Sequence, residues 1–174
     1  MYARMKILVA SDIHGSAYYT RKLIEVFKSE KADKLIICGD IYYHGPRNPF
    51  PKDYDPMKVA ELLGSVKEHL IVVKGNCDSE VDELISLFPF HKEYIETVGK
   101  RKVFFTHGHI YNDGNIPPLL RVGDILCFGH FHIPMNEVRA GITILNPGSI
   151  SLPKNDKHTY VVITEENICL KEIN

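Results

Sequence analysis

Residues 34–40, Lys34-Leu35-Ile36-Ile37-Cys38-Gly39-Asp40, decide the fold. The apolar run ending at Cys38 does not alternate with polar residues, which is how a strand buried on both faces reads. Gly39-Asp40 then ends it. A carboxylate just past a buried strand lies where an open α/β sheet presents its ligands. The same junction recurs along the chain. Asp12-Ile13-His14 follows a strand at 6–11, and Gly75-Asn76 follows one at 69–73. Thr106-His107-Gly108-His109 ends a fourth strand, and Gly129-His130-Phe131-His132 follows a fifth at 124–128. Five strand-then-ligand junctions point to side chains converging on one centre. Asp, His and Asn without cysteine form a donor set suited to Mn2+, Fe2+ or Zn2+. Asp40 reads as the carboxylate that bridges two ions.

Composition narrows the classes. The chain has 174 residues, 44% hydrophobic and 25% charged, which suits a single globular domain spanning 1–174 with a full core. Its 21 Lys+Arg against 22 Asp+Glu, net charge -1, argue against a dedicated nucleic-acid binder. Cys38, Cys77, Cys127 and Cys169 form no CxxC pair, and three lie in predicted strands, where buried free thiols are common. That usage points to a reduced, cytoplasmic setting. The first apolar run is cut short by Asp12, so it is too short for a signal peptide or a membrane span. Met1 to Arg4 read as an extension ahead of the first strand.

Helices and strands alternate in the first half. Ser16 caps a predicted helix to about Glu30, with Tyr19, Leu23 and Phe27 on one face. Residues 40–54 form a long loop of the kind that carries function. Asp55-Pro56 starts a second helix with Val59, Leu62, Leu63 and Val66 as its apolar face. Ser79 opens a third, with Val81, Leu84, Ile85 and Phe88 at helical spacing. Residues 94–98 and 102–106 predict a hairpin around Gly99-Lys100. After a polar loop at 107–118 the chain turns to strands, at 124–128, 136–139, 142–145, 159–164 and 168–173. This order predicts two packed sheets with helices outside.

Each motif alone has a plain structural reading. Asp12-x-His14 and Gly39-Asp40 are ordinary turns, and His107-Gly-His109 and His130-Phe-His132 are polar loops flanked by glycine. As an ordered set they resemble the five blocks of the calcineurin-like metallophosphoesterases, over essentially the whole chain. The details are similar to the small bacterial YfcE-type phosphodiesterases. These are Asp40-Ile-Tyr-Tyr-His44-Gly-Pro-Arg47-Asn48, Gly75-Asn76-Cys77-Asp78-Ser79-Glu80 and Asn146-Pro147-Gly148-Ser149.

The resemblance implies a four-layer αββα sandwich of two mixed sheets flanked by helices. It also implies two divalent metals, Mn2+ first, with Fe2+, Zn2+ or Ni2+ as alternatives. Asp12, His14, Asp40 and His132 would hold one, and Asp40, Asn76, His107 and His130 the other. The implied reaction is hydrolysis of a small phosphodiester or phosphate ester by a metal-bridging hydroxide. Asn76 can ligate through its carbonyl and offer its amide to phosphate. His44 and Arg47 are candidate phosphate contacts, or simply residues of a surface loop. His109 reads as a partner that orients His107 or as a solvated ring. Asn146-Pro147-Gly148-Ser149 reads as a structural turn; His69, His91 and His158 match no motif.

The chain departs from many metallophosphoesterases at one catalytic position. Cys77 stands where they carry a histidine that protonates the leaving group. A thiol is a weak donor, so Cys77 is either the proton donor or a packing residue. Two other classes compete: a non-catalytic scaffold on the same fold, and a nuclease-type phosphoesterase. No membrane partner is expected, and the YfcE-type resemblance suggests a homo-oligomer.

Overall fold

A computed structural model describes residues 5–173; the Met1–Arg4 extension lies outside the described residues. Eleven strands and three helices follow in the order β1 (Ile7–Ala10), α1 (Ala17–Ser29), β2 (Lys34–Ile37), α2 (Pro56–Gly64), β3 (Leu70–Val73), α3 (Glu80–Ile85), β4 (Phe90–His91), β5 (Tyr94–Val98), β6 (Arg101–Phe105), β7 (Ile125–Cys127), β8 (Pro134–Arg139), β9 (Ile142–Pro147), β10 (Thr159–Ile163) and β11 (Ile168–Glu172). They build a six-stranded sheet, β11-β10-β1-β2-β3-β4, and a five-stranded sheet, β5-β6-β7-β9-β8. Both are mixed. The run β1-β2-β3-β4 is parallel, while β10 pairs antiparallel with β1 and β11. In the second sheet β6, β7 and β9 are parallel, with β5 and β8 as antiparallel edges.

The period of two in the strands sorts their apolar residues into layers. Ile7, Val9, Ile36, Cys38 and Val73 face the second sheet, where they meet Val103, Phe105, Ile125, Cys127 and Leu145. The intervening Leu8, Ala10, Leu35, Ile37 and Val72 face the helices and pack on Leu23, Phe27, Val59 and Leu63. Strands buried on both faces need continuous apolar sequence, which explains the runs that lack alternation.

Phe104, Leu126, Phe128 and Ile144 form a third cluster on the outer face of the second sheet. Leu120 joins it, with Tyr111 and Ile116 packed against it, so irregular chain from the 107–123 region covers this face. The sandwich layering is as expected. One local difference is that the covering layer here is loop.

Local chemistry sets the helix ends. Ser16 Oγ accepts from Tyr19 N–H at the start of α1, and Asp55 Oδ1 from Lys58 N–H at the start of α2. Ser79 and Asp82 form a reciprocal capping box on α3. The expected apolar face of α3 is corrected, however. The helix stops at Ile85, and Val81 and Leu84 are 64% and 84% exposed. Phe88 is buried, but beyond the helix. Ser86 takes the chain out of α3 by bonding the Asp82 carbonyl and the Tyr42 hydroxyl.

Two further expectations shift. Cys169 is exposed on edge strand β11, whereas Cys38 and Cys127 are buried between the sheets. Strand β4, two residues long, carries too little pattern to be read from sequence. No helix among the described residues is long and apolar enough to cross a membrane.

Candidate metal centre

Every predicted ligand sits in a turn that closes a strand. Asp12 and His14 follow β1, Asp40 follows β2, Asn76 follows β3, His107 follows β6, and His130 and His132 follow β7. Backbone bonds stitch these turns together. Asp12 N–H donates to Gly39 O (3.0 Å), His14 N–H to Asp40 O (2.9 Å), and Gly129 N–H to His107 O (2.8 Å). The packing is close enough to exclude a side chain at two glycines. A Cβ on Gly75 would lie 2.1 Å from Asp40 Oδ1, and one on Gly129 would lie 1.8 Å from Ser11 Oγ.

Bringing the ligands inward bends the backbone into the left-handed region. Asp12, His14, Asp40, His130 and His132 have φ of 56°, 49°, 57°, 66° and 60°. Such residues cost on the order of 1–3 kcal/mol each and cluster at functional sites. Asp is among the residue types that tolerate this region best, which fits its use at these turns.

The side chains gather into two Asp/His clusters, linked by a third group in which His14, Asp40 and Cys77 also lie within 4.8 Å of one another. Asp12, His14 and His132 place donor atoms within 4.8 Å of one another, and so do Asp40, His107 and His130. Asp40 lies between the two, with Oδ2 3.7 Å from His14 Nε2 and 3.3 Å from His107 Nε2. Asn76 Oδ1 is 2.9 Å from His107 Nε2.

Three histidines have their tautomer fixed by a carbonyl, which can only accept. His14 Nδ1 donates to Tyr43 O, His107 Nδ1 to Cys38 O and His132 Nδ1 to Leu152 O, each at 2.7 Å. Their Nε2 lone pairs therefore turn inward. His14 Nε2 meets His132 Nε2 at 3.1 Å, and His107 Nε2 meets His130 Nδ1 at 3.1 Å. Asp12 Oδ1, beside the first pair, is the one buried side-chain oxygen or nitrogen without a hydrogen-bond partner among the described residues. Converging lone pairs and an orphaned carboxylate oxygen are the donor arrangement of a divalent cation.

The electrostatics agree. Burial opposes the charge on Asp12, yet the His132 and His14 rings hold its carboxyl far below the usual range. Burial likewise opposes Asp40, and His107 holds it down. Burial disfavours the His107 cation, but Asp40 and Asp12 pull the ring up to about 9. Burial and the neighbouring His107 push His130 down. Two buried carboxylates amid histidines thus favour positive charge at this centre.

Around the ligands stands a supporting layer. Asp78, which the sequence reading left without a role, accepts backbone N–H from Asp40 (2.8 Å), Ile41 (2.8 Å) and Gly75 (2.7 Å). Burial nevertheless raises its carboxyl to about 6. A carboxylate three residues past a glycine turn was its only sequence signal. Asn146 Nδ2 donates to Gly129 O and its Oδ1 accepts from Gly148 N–H, both at 2.8 Å. Ser149 and Ser151 hydroxyls both donate to Asp12 O. The 146–149 segment is the structural turn that its sequence suggests.

A cleft of about 430 Å³ opens over the clusters, with Arg47, Asn76, Cys77 and Lys154 on its lining. Cys77 N–H donates to Asp40 Oδ1 (2.9 Å). Burial and Asp40 push its thiol up to about 12. His44 stands apart from this lining, packed against Tyr43, Phe50 and Tyr54. His109 is exposed, its ring 5.4 Å from that of His107. His158 stacks on Tyr19, and His69 Nδ1 donates to Asp33 O, both away from the clusters.

A two-sheet sandwich that gathers Asp/His clusters at its strand ends is the architecture of a metal-dependent phosphoric ester hydrolase. Residues 5–167 match the calcineurin-like phosphoesterase superfamily domain, and the chain belongs to this family. It is 45% identical over 151 residues to the phosphodiesterase YfcE of Escherichia coli K12, covering 86% of this chain and 82% of the relative. It is 34% identical over 172 residues to the probable metallophosphoesterase YsnB of Bacillus subtilis, covering 94% and 86%. The solved structure of the E. coli phosphoesterase YfcE superposes with a TM-score of 0.89 at 39% identity, covering 98% of this chain and 100% of that one.

Proposed function

We propose that the chain is a binuclear metal-dependent phosphodiesterase acting on a small ester. The observation that carries this reading is the Asp/His groups on either side of Asp40, whose Oδ2 lies 3.7 Å from His14 Nε2 and 3.3 Å from His107 Nε2. The likeness to YfcE, which carries the name phosphodiesterase, supports the diester preference. Two divalent ions, Mn2+ first among the candidates, would supply Lewis-acid charge and lower the pKa of a bound water toward about 7.

The chain's own groups then have distinct tasks. Asp12, His14 and His132 would hold one ion, His107, His130 and Asn76 the other, and Asp40, placed between them, would serve both. The carbonyls of Tyr43, Cys38 and Leu152 accept from Nδ1 and so aim Nε2 of each ring at the centre for ligation. The Asn76 amide and the Arg47 guanidinium orient the phosphoryl group from the cleft wall. Cys77 lines the same cleft and remains a neutral thiol. All four cysteines are free, which suits a reducing cytoplasm.

The test is to load the purified protein with Mn2+, measure metal content, and assay a panel of phosphomonoesters and diesters. Two ions per chain and faster diester turnover are expected. Turnover of monoesters alone, or of none, overturns the reading.

A further inference from the structure

We infer that Lys154 is a specificity-determining residue that contacts a second phosphate group on the substrate, beyond the one hydrolysed. This rests on the phosphodiesterase reading above. Lys154 and Arg47 line the same cleft as His14, Asp40 and His132. Both are exposed, and neither charged head has an ion pair or hydrogen bond among the described residues. Asp40 is the sole acidic residue on the cleft lining among the described residues. The nearby Asp78 carboxylate is buried and already accepts three backbone N–H groups.

Charge balance decides what such a cleft fits. Two divalent ions against the carboxylates of Asp12 and Asp40 leave two positive charges. A nucleophile and a diester phosphoryl, one negative charge each, neutralise them. Arg47 and Lys154 then both remain unmatched; Arg47 is assigned above to the reacting phosphoryl, which leaves Lys154 to meet a further anion. An uncompensated cation beside a low-dielectric centre favours a substrate that brings a further anion.

Lys154 is also held in place rather than trailing from a loose loop. Its N–H donates to His132 O (3.0 Å), and Leu152 O accepts from His132 Nδ1 (2.7 Å). Ser149 and Ser151 tie the same segment to Asp12 O. The segment that orients one predicted ligand therefore starts the Lys154 side chain from a fixed point, which lowers the cost of ordering it on a ligand. A second phosphate is the chemistry fitted: compact, doubly charged and rich in acceptors for an ammonium.

The experiment compares adenosine 5′-monophosphate with adenosine 3′,5′-bisphosphate, by calorimetry on the Mn2+-loaded protein over a range of salt. The wild type should bind the bisphosphate about tenfold or more tightly, as one charge-assisted contact gives. Lys154→Ala should bring that ratio close to parity with unchanged metal content, and Lys154→Arg should restore most of it. The salt dependence of bisphosphate binding should weaken in Lys154→Ala. Equal affinities in the wild type, or an unchanged ratio in Lys154→Ala, overturn the inference and leave the phosphodiesterase reading standing. Binding of neither nucleotide, with no metal retained, overturns that reading and this inference with it.

Discussion

His14 and His132, 118 residues apart in sequence, face each other Nε2 to Nε2 at 3.1 Å, and the second ring nitrogen of each donates to a backbone carbonyl. Two lone pairs at that separation repel unless a proton or a metal ion lies between or beside them. Asp12 Oδ1 is 3.3 Å from His132 Nε2 and completes the donor set. Metal occupancy should therefore respond unequally to substitution. His132→Ala removes a ligand from one cluster and should halve the metal content. Asp40→Asn weakens the anion between both clusters and should lower both occupancies and the activity. Elemental analysis of folded variants is the check; two tightly held ions per chain in Asp40→Asn would remove Asp40 from the bridging role.

Arg47 lies at the tip of a short loop closed by Asn48. The Asn48 amide donates to His44 O (2.8 Å), and its N–H to Gly45 O (3.2 Å). The guanidinium is thus offered from a defined position on the cleft. Arg47→Ala should lower kcat/KM on diesters about tenfold to a hundredfold, since a charged hydrogen bond contributes about 1.5–3 kcal/mol. Metal content should not change. Wild-type kinetics on several diesters would make Arg47 a surface residue with no part in binding.

A separate prediction concerns acid stability. Glu30 closes the end of α1 against β1 and β11, bonded by Lys171 Nζ (2.6 Å) and Lys6 Nζ (2.7 Å). Lys171 first and Lys6 second bring its carboxyl down from an ordinary 4.5 to about 2. A depressed carboxylate stabilises the fold above its unfolded pKa. That contribution fades as pH falls from about 4.5 toward about 2. Glu30→Gln should therefore cost about 1 kcal/mol near neutral pH, allowing for solvent screening. The gap from wild type should close across that acid window. Urea unfolding of both metal-free proteins from pH 7 to pH 2 reads it. A gap of constant size throughout would assign the loss to packing instead of charge.

Much of this was legible in the sequence because the signals were redundant. Runs such as Leu35-Ile36-Ile37 mark strands buried on both faces, and each ends in a polar residue that has nowhere to go but the rim. Ser16, Asp55 and Ser79 announce helix starts through chemistry local to a few residues. Illegible features depend on distant partners. Asp78 looks like a turn residue until Asp40, Ile41 and Gly75 present their N–H groups to it. Lys154 sits in a polar surface stretch and gains meaning only when the chain returns beside His132. Val81 and Leu84 keep helical spacing, but α3 is short and packs on the core through Ile85 while leaving them exposed. His44 drew attention by nearness to Asp40, yet the chain turns its ring toward Phe50 and Tyr54.

Cys77 gives the sharpest test, because it marks the departure from many relatives in the wider family. Its N–H is fixed on Asp40 Oδ1, and its side chain reaches the cleft near Gly45, where a Cβ would lie 3.8 Å from Sγ. A thiol pushed up to about 12 stays protonated at neutral pH and gives its proton up poorly. The centre would then have its ligands and phosphate contacts but no strong acid for the leaving group. Placing imidazole there supplies one, since its pKa lies near neutrality. Cys77→His should raise kcat, and more for alkoxide-like leaving groups than for p-nitrophenolate. Well-placed general acids are worth about 10²–10⁴-fold, and a smaller gain is expected in a cleft not shaped for the ring. Cys77→Ser should change little. The measurement is kcat over diesters of graded leaving-group pKa at matched metal content. If Cys77→His leaves that dependence as steep as in the wild type while Cys77→Ser abolishes turnover, the thiol itself takes part in the chemistry and the missing-acid account is wrong.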